Sequence, residues 1–276
     1  VPVMTLSPNT LFDLSGKTAL VTGGATGIGY MAATGLMAAG ARVLIASRKA
    51  DACIAAAAAL NSAGLAGTVD GFGGDVASEP GVAAVCEAVR VRTEKLDILV
   101  NNAGRSWGAP LGQFPFEAWE KVMTLNVAGM FHLTQSLLPL LEAAAHTDDP
   151  ARVINMGSVM GEVAMGDDAY SYAVSKSGVH QMTRIFAKEL AVRQITVNAL
   201  APGPFRSKMT AFAVGQDAGA DRVGARVPIG RIGRAEDVAA SLQFLCGRGG
   251  SYVTGAVIPL SGGINVATGP AIFGDD

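Results

Sequence analysis

Short apolar runs alternate with longer helical patterns along the chain, and this alternation constrains the fold more than any other feature. The runs are Thr18–Thr22, Arg42–Ala46, a weaker Thr68–Gly73, Ile98–Asn101, Val153–Met156, Thr196–Leu200 and Val257–Leu260. Several are β-branched, continuous and bounded by Gly, Asn or Pro, as expected of strands covered on both faces. Helical periodicity fills the gaps, over Gly29–Ala39, Ala50–Ala63, Gly81–Thr93, Phe116–Ala145, Tyr170–Arg193 and Ala235–Cys246. Strands joined by helices enter a sheet in parallel, with helices on both faces. The expectation is an α/β fold, a doubly wound parallel sheet of about seven strands. With half of its 276 residues hydrophobic, the chain has core enough for one large domain. No linker divides it, so residues 1–276 read as a single domain. Residues 204–233 break the pattern, with Gly, Pro, Arg and Met in weak periodicity, and read as a substrate lid.

Several function classes are excluded. The net charge of −2 gives no electrostatic case for a nucleic-acid partner. Cys53, Cys86 and Cys246 form neither a metal-ligand spacing nor a disulfide framework, which points to no metal and to a reducing, cytoplasmic setting. Residues 18–41 are uncharged and long enough to span a bilayer. Yet they carry Gly23, Gly24, Gly27, Gly29, Gly35 and Gly40, so they read as a buried strand, loop and helix rather than a membrane span. The opening VPVMTLSPNT has no basic stretch followed by an apolar one, so no secretory signal is expected.

The first run leads into Gly23-Gly24-Ala25-Thr26-Gly27-Ile28-Gly29 and then a helix. Such glycines allow a tight turn and close approach of backbone to a pyrophosphate, and a helix N-terminus favours the anion. The spacing is G-x-x-x-G-x-G, not the general dinucleotide fingerprint, and such a loop can also merely pack strand on helix. The second run ends at Ser47-Arg48-Lys49, where a dinucleotide site for an unphosphorylated ribose would carry an acidic residue. A carboxylate there would repel a 2′-phosphate, whereas Ser47 and Arg48 would bind one, so NADP(H) is the expected cofactor. Asp75 follows the third run, with Val76 beside it. Asp75 can accept from an adenine amino group or simply tie a turn. Asn101-Asn102-Ala103-Gly104 closes the fourth run; its small residues leave room for a flat cofactor, and its Asn side chains can tie neighbouring backbone.

Tyr172 and Lys176 stand four apart near the start of an amphipathic helix, which places phenol and ammonium on one face. A neighbouring cation favours the phenolate. Bringing a tyrosine from a pKa of about 10 to about 7 requires about 4 kcal/mol, at roughly 1.36 kcal/mol per unit. A partly buried Lys176 together with a positive nicotinamide is expected to supply it. The fifth run delivers Ser158, which can hold a substrate oxygen against the phenol. Asn126 is polar within an apolar helical stretch and could kink the helix or hold a water that relays protons to Lys176.

These pieces, TGGATGIG, NNAG, Asn126, Ser158, Tyr172-x-x-x-Lys176 and Pro202-Gly203, occur in the order of the short-chain dehydrogenase/reductase family, which the chain resembles over roughly residues 13–266. The resemblance implies a Rossmann-type fold and a homotetramer or homodimer. It gives proton transfer to Tyr172, the substrate oxygen to Ser158, ribose binding and pKa lowering to Lys176, and the relay water to Asn126. It implies a cofactor site of Gly23, Thr26, Gly27, Ile28, Gly29, Ser47, Arg48, Asp75, Val76, Asn102, Ala103, Gly104, Tyr172, Lys176, Pro202, Gly203, Phe205 and Ser207, the last for the carboxamide. Within the family, Ser106-Trp107-Gly108-Ala109, Trp119-Glu120-Lys121-Val122-Met123 and Ala164-Met165-Gly166 resemble the β-ketoacyl reductases associated with rhamnolipid synthesis and their fungal relatives. Two departures stand out: the gap from Ser158 to Tyr172 is one residue longer than usual, and Thr26 replaces a second basic residue, so the phosphate leans on Arg48.

His132, His146 and His180 converge on no motif and read as helix-face or loop residues. Asp167 and Asp168 precede the catalytic helix and read as its caps. Trp107, Met160, Met165, Phe205, Met209 and Phe212, as a group, suggest an apolar substrate cavity. The expected activity is reversible reduction of an apolar or acyl-type ketone to an alcohol. A non-catalytic sensor of NADP(H) is the alternative, though it would have no need of the Ser–Tyr–Lys set. An epimerase or dehydratase would favour a separate substrate lobe, which the sequence lacks.

Overall fold

The computed structural model describes residues 6–165 and 168–267. Asp167 and Gly166 lie outside the described residues, as do the first five. Among the described residues, strands β1 (Thr18–Thr22), β2 (Arg42–Ser47), β3 (Thr68–Gly73), β4 (Ile98–Asn101), β5 (Ala151–Met156), β6 (Ile195–Pro202) and β7 (Val257–Leu260) form one sheet. Its order is β3-β2-β1-β4-β5-β6-β7, and every pairing is parallel. The helices are α1 (Pro8–Leu11), α2 (Gly27–Ala38), α3 (Ala50–Asn61), α4 (Glu79–Arg90), α5 (Phe116–Met123), α6 (Met130–Ala144), α7 (Tyr170–Leu190), α8 (Ala211–Val214), α9 (Asp217–Gly224) and α10 (Ala235–Cys246). The result is a single Rossmann-type domain. No described helix is long and apolar enough to cross a membrane.

Alternation along the strands divides the core into two layers. Ala19, Val21, Val43, Ile45 and Val100 pack with Leu36 of α2 and Leu242 of α10 on one face. Leu20, Leu44, Leu99 and Val153 pack with Val85 of α4, Leu137 of α6 and Phe186 of α7 on the other. Both faces are covered, which is why the strands read as continuous apolar runs rather than as alternating ones.

The expected helix Phe116–Ala145 is not one helix. A π-helical turn over Thr124–Gly129 separates α5 from α6. One inserted residue widens the backbone there and swings Asn126 inward, where its side chain clamps the main chain of Arg105. Gly129 allows the wide turn to press on the chain after β3, for a Cβ there would lie 2.1 Å from the Val76 carbonyl oxygen. Residues 204–233, only weakly periodic in sequence, contain α8 and α9.

The sheet order places β1 beside β4, so successive crossovers leave that junction in opposite directions. A crevice must open at the carboxyl ends of those two strands. Thr22, 2% exposed, stitches the two ends together. Its hydroxyl accepts the N–H groups of Asn102 and Ala103, each at 3.0 Å. Asn102 reciprocates, its Nδ2 donating to the carbonyl oxygens of Thr22 at 2.8 Å and Gly23 at 3.3 Å. Thr22→Val keeps the shape but leaves the Ala103 N–H without its acceptor and the Asn102 N–H with only the Val100 carbonyl oxygen, at 3.0 Å. Urea unfolding should show a loss of about 1 kcal/mol or more, and a loss under about 0.5 kcal/mol would refute the stitch.

Candidate active site

The crevice is lined on one side by the glycine loop between β1 and α2. Gly29 has to be glycine, since a Cβ there would lie 2.3 Å from the Gly23 carbonyl oxygen and 2.4 Å from Asn102 Nδ2. Thr26 is the N-cap of α2, yet its side chain accepts no capping hydrogen bond. The first N–H groups of α2 are thus left without a side-chain partner at the cavity wall. Gly27 has φ +57°, and across from it, within 3.0 Å of a Cβ placed there, lies Ser207 Cβ.

Two cavities adjoin at this edge. One, of about 290 Å³, is lined by Gly23, Thr26, Gly27, Ile28 and Gly29, by Asn102, Ala103 and Gly104, by Ser158, Tyr172 and Lys176, and by Pro202, Gly203, Phe205 and Ser207. The other, of about 170 Å³, is lined by Ser47, Arg48, Asp75 and Val76 and shares Gly23, Ala103 and Gly104 with the first. Every residue assigned from sequence therefore lies on one continuous surface, except Asn126. Asn126 stands just behind it: a Cβ on Gly104 would lie 3.3 Å from Asn126 Oδ1 and 3.6 Å from Lys176 Nζ.

Arg48 and Lys49 are exposed and have no ion-pair partner among the described residues. Ser47 lies beside them, its hydroxyl 3.1 Å from Cys53 Sγ. Asp75 accepts the Ala77 N–H at 3.0 Å through Oδ1, so it ties its own turn while facing the cavity. Asn102 ties backbone as expected.

The helix α7 carries Tyr172 and Lys176 on successive turns. Lys176 is 5% exposed and its Nζ donates to the Met156 carbonyl oxygen at 2.6 Å. That ammonium lies over the face of the Tyr172 ring, 5.5 Å from its centroid. Burial without a carboxylate partner lowers the Lys176 pKa to about 8. Tyr172 departs from the sequence expectation. Burial raises its pKa above the ordinary value, and only the Ser158 hydroxyl, hydrogen-bonded to it, pulls the other way. The reason is geometric: the lysine charge sits over the ring and points at Met156, while desolvation penalises the phenolate.

Ser158 is 6% exposed, and its Oγ accepts the Met160 N–H at 3.2 Å. Asn126, 3% exposed, accepts from Arg105 N at 2.9 Å and donates to Arg105 O at 3.0 Å and Ser175 Oγ at 2.9 Å. Both hydrogens of its amide are thereby used.

Some residues behave otherwise than their sequence context suggests. Asp168 does not cap α7. It has φ +53°, the N-cap position falls to Ala169, and the carboxylate reaches the Tyr170 hydroxyl at 3.5 Å instead. Of the apolar group, Phe205 and Met209 line the main cavity, whereas Phe212 is 91% exposed on α8. Lys208 and Thr210 also line it, unforeseen because residues 204–233 have too little periodicity to place them. His180 is buried beneath Ser158, its Nε2 accepting the Ser158 N–H at 3.4 Å. Its spacing of four from Lys176 was the available signal. Among the described residues no cluster of three or more His, Cys, Asp or Glu could hold a metal.

Comparison with known proteins places this geometry. The family model described as "Enoyl-(Acyl carrier protein) reductase" matches residues 23–265. The rhamnolipids biosynthesis 3-oxoacyl-[acyl-carrier-protein] reductase of Pseudomonas aeruginosa is 47% identical over 255 residues, covering 92% of this chain and 98% of that protein. Gluconate 5-dehydrogenase of Gluconobacter oxydans is 34% identical over 259 residues, covering 93% and 98%. Among solved structures, the Pseudomonas aeruginosa RhlG/NADP active-site complex superposes with a TM-score of 0.88 at 47% identity, over 93% of this chain and 99% of that one. A gluconate 5-dehydrogenase from Burkholderia cenocepacia in complex with NADP and tartrate gives 0.85 at 31% identity, over 95% and 100%. The chain belongs to the short-chain dehydrogenase/reductase family of oxidoreductases.

Proposed function

We propose that the protein is an NADPH-dependent reductase of ketone or β-ketoacyl carbonyl groups, reversible as an alcohol dehydrogenase. The observation that carries this reading is the meeting of Tyr172, Ser158 and Lys176 in one cavity whose opposite wall is the uncapped start of α2. The relatives named above are reductases or dehydrogenases, which gives the sensor alternative no support.

The cradle fits a phosphorylated dinucleotide. Gly23, Thr26, Gly27, Ile28 and Gly29 would hold its pyrophosphate, the anion facing open N–H groups. Ser47 and Arg48 would take the 2′-phosphate, and the absence of a carboxylate at that position favours NADP(H) over NAD(H). Asp75 and Val76 would border the adenine. Asn102, Ala103 and Gly104 would floor the site, with Pro202, Gly203, Phe205 and Ser207 closing on the nicotinamide. When bound, the dinucleotide supplies the hydride.

The protein's own groups manage the oxygen and its proton. Ser158 Oγ accepts the Met160 N–H and its hydroxyl lies against the Tyr172 phenol, so its hydrogen would turn to a substrate oxygen that enters between the two. Tyr172, kept protonated by burial, is suited to deliver a proton to that oxygen as it gains negative charge. Lys176 would bind the ribose hydroxyls and keep a positive charge beside the phenol. A relay water would use the second lone pair of Asn126 Oδ1 or a carbonyl freed by the π turn.

Residues 204–233 would act as the lid. Phe205 and Met209 at the cavity favour an apolar acyl chain over a sugar acid as its occupant. Two or four copies are proposed to associate, since Val174 and Ile185 leave apolar surface on α7. Three buried, unpaired thiols are consistent with a reducing cytoplasm.

NADPH oxidation across a panel of β-ketoacyl thioesters, aryl ketones, sugar-acid ketones and enoyl thioesters tests the reading. Tyr172→Phe should cut turnover by about 100-fold or more while leaving NADPH affinity largely intact, and near-normal reduction would overturn the assignment. Arg48→Ala should lower the NADPH-to-NADH preference by about 10-fold or more, as loss of a charge-assisted phosphate contact implies. An unchanged ratio would remove the phosphate role.

A further inference from the structure

Tyr172, Lys176 and His180 follow one another at intervals of four on α7, so the stripe that carries the phenol and the ammonium continues one turn to an imidazole. That imidazole is 3% exposed. It sits in a slot made by two glycines on either side of Ser158. A Cβ on Gly157 would lie 2.2 Å from His180 Nε2, and one on Gly161 would lie 2.8 Å from His180 Cε1. The turn that bears Ser158 is thus moulded on the ring.

The ring also bonds to that turn. Its Nε2 accepts the Ser158 N–H at 3.4 Å, so the ring proton resides on Nδ1, which faces the Glu162 carboxylate at 4.0 Å. Burial, with Lys176 and Arg184 one turn away on either side, lowers the His180 pKa to about 4 and keeps the ring neutral. A neutral ring with a free Nε2 lone pair is the form that can accept from Ser158.

We propose that His180 is a positioning residue: by accepting the Ser158 amide proton it fixes the Ser158 turn against the helix that carries Tyr172 and Lys176. The claim rests on the carbonyl-reductase reading for its kinetic consequence. Ser158 comes from the end of β5 and Tyr172 from α7, two elements with no covalent reason to keep register. The Met160 N–H orients the Ser158 hydroxyl, and His180 orients the backbone beneath it. A displacement of about 1 Å at such a pair is enough to cost about 100-fold in rate.

Two substitutions separate positioning from packing. His180→Leu fills similar volume but leaves the Ser158 N–H without an acceptor. His180→Gln keeps an acceptor on a flexible stem. With a β-ketoacyl thioester and NADPH, His180→Leu should lose about 10- to 100-fold in kcat while its NADPH Kd stays within about twofold. His180→Gln should recover to within about fivefold of the natural protein. Equal losses in the two variants, or a His180→Leu enzyme within about twofold of the natural one, would overturn the proposal. Ring 15N shifts of His180 in the unaltered protein give a readout independent of turnover and of variant folding. An unprotonated Nε2 is expected, and a proton on Nε2 would overturn the proposal. Should the natural protein reduce no ketone, the activity reading fails, and the ring tautomer alone then decides the positioning claim.

Discussion

The hydroxyl of Thr22 holds together the place on which the rest of the site depends. By accepting two successive backbone N–H groups from the end of β4, it fixes how far β1 and β4 part where their crossovers diverge. That separation sets the width of the crevice. Asn102, returned across the gap to the Thr22 and Gly23 carbonyls, then becomes the post around which the glycine loop winds. Gly29 can approach it only because it lacks a Cβ. The start of α2 is delivered uncapped to the cavity as a consequence. A side chain at Gly29 would press on the Gly23 carbonyl and Asn102 and force the loop outward.

Electrostatics at the opposite wall are governed by burial rather than by pairing. Tyr172 and Lys176 share a helix face, yet the ammonium turns its hydrogen bond to Met156 and presents itself to the ring, not to the phenol oxygen. Desolvation then pushes the two groups the same way, away from their charged forms. A protonated phenol is what carbonyl reduction requires. The oxidative direction requires a phenolate, which the Lys176 ammonium over the ring and a positive nicotinamide would together favour.

The sequence reveals much of this for physical reasons. Strands covered on both faces leave unbroken apolar runs, so all seven are legible, including β7 at the sheet edge. The glycine loop, the NNAG turn and Tyr172-x-x-x-Lys176 are legible because each is a local device whose partners lie within a turn or two. What is not legible depends on distant contacts. The π turn at Asn126 hides inside continuous apolar periodicity, since one inserted residue hardly disturbs the pattern. His180 looks like an ordinary helix-face residue because its partner is a backbone N–H brought by β5. The direction of the Tyr172 shift depends on burial, which a spacing of four cannot report. Helices α8 and α9 are short and rich in Ala and Gly, and give too few turns to show a period.

The most direct test is an absorbance titration of Tyr172, isolated as the difference between the natural protein and Tyr172→Phe, without and with saturating NADP⁺. The predicted result is an ionisation above the ordinary tyrosine value in the free protein that moves down when the positive nicotinamide is present. A phenol already ionising below the ordinary value in the free protein, or one that NADP⁺ leaves unmoved, would contradict it.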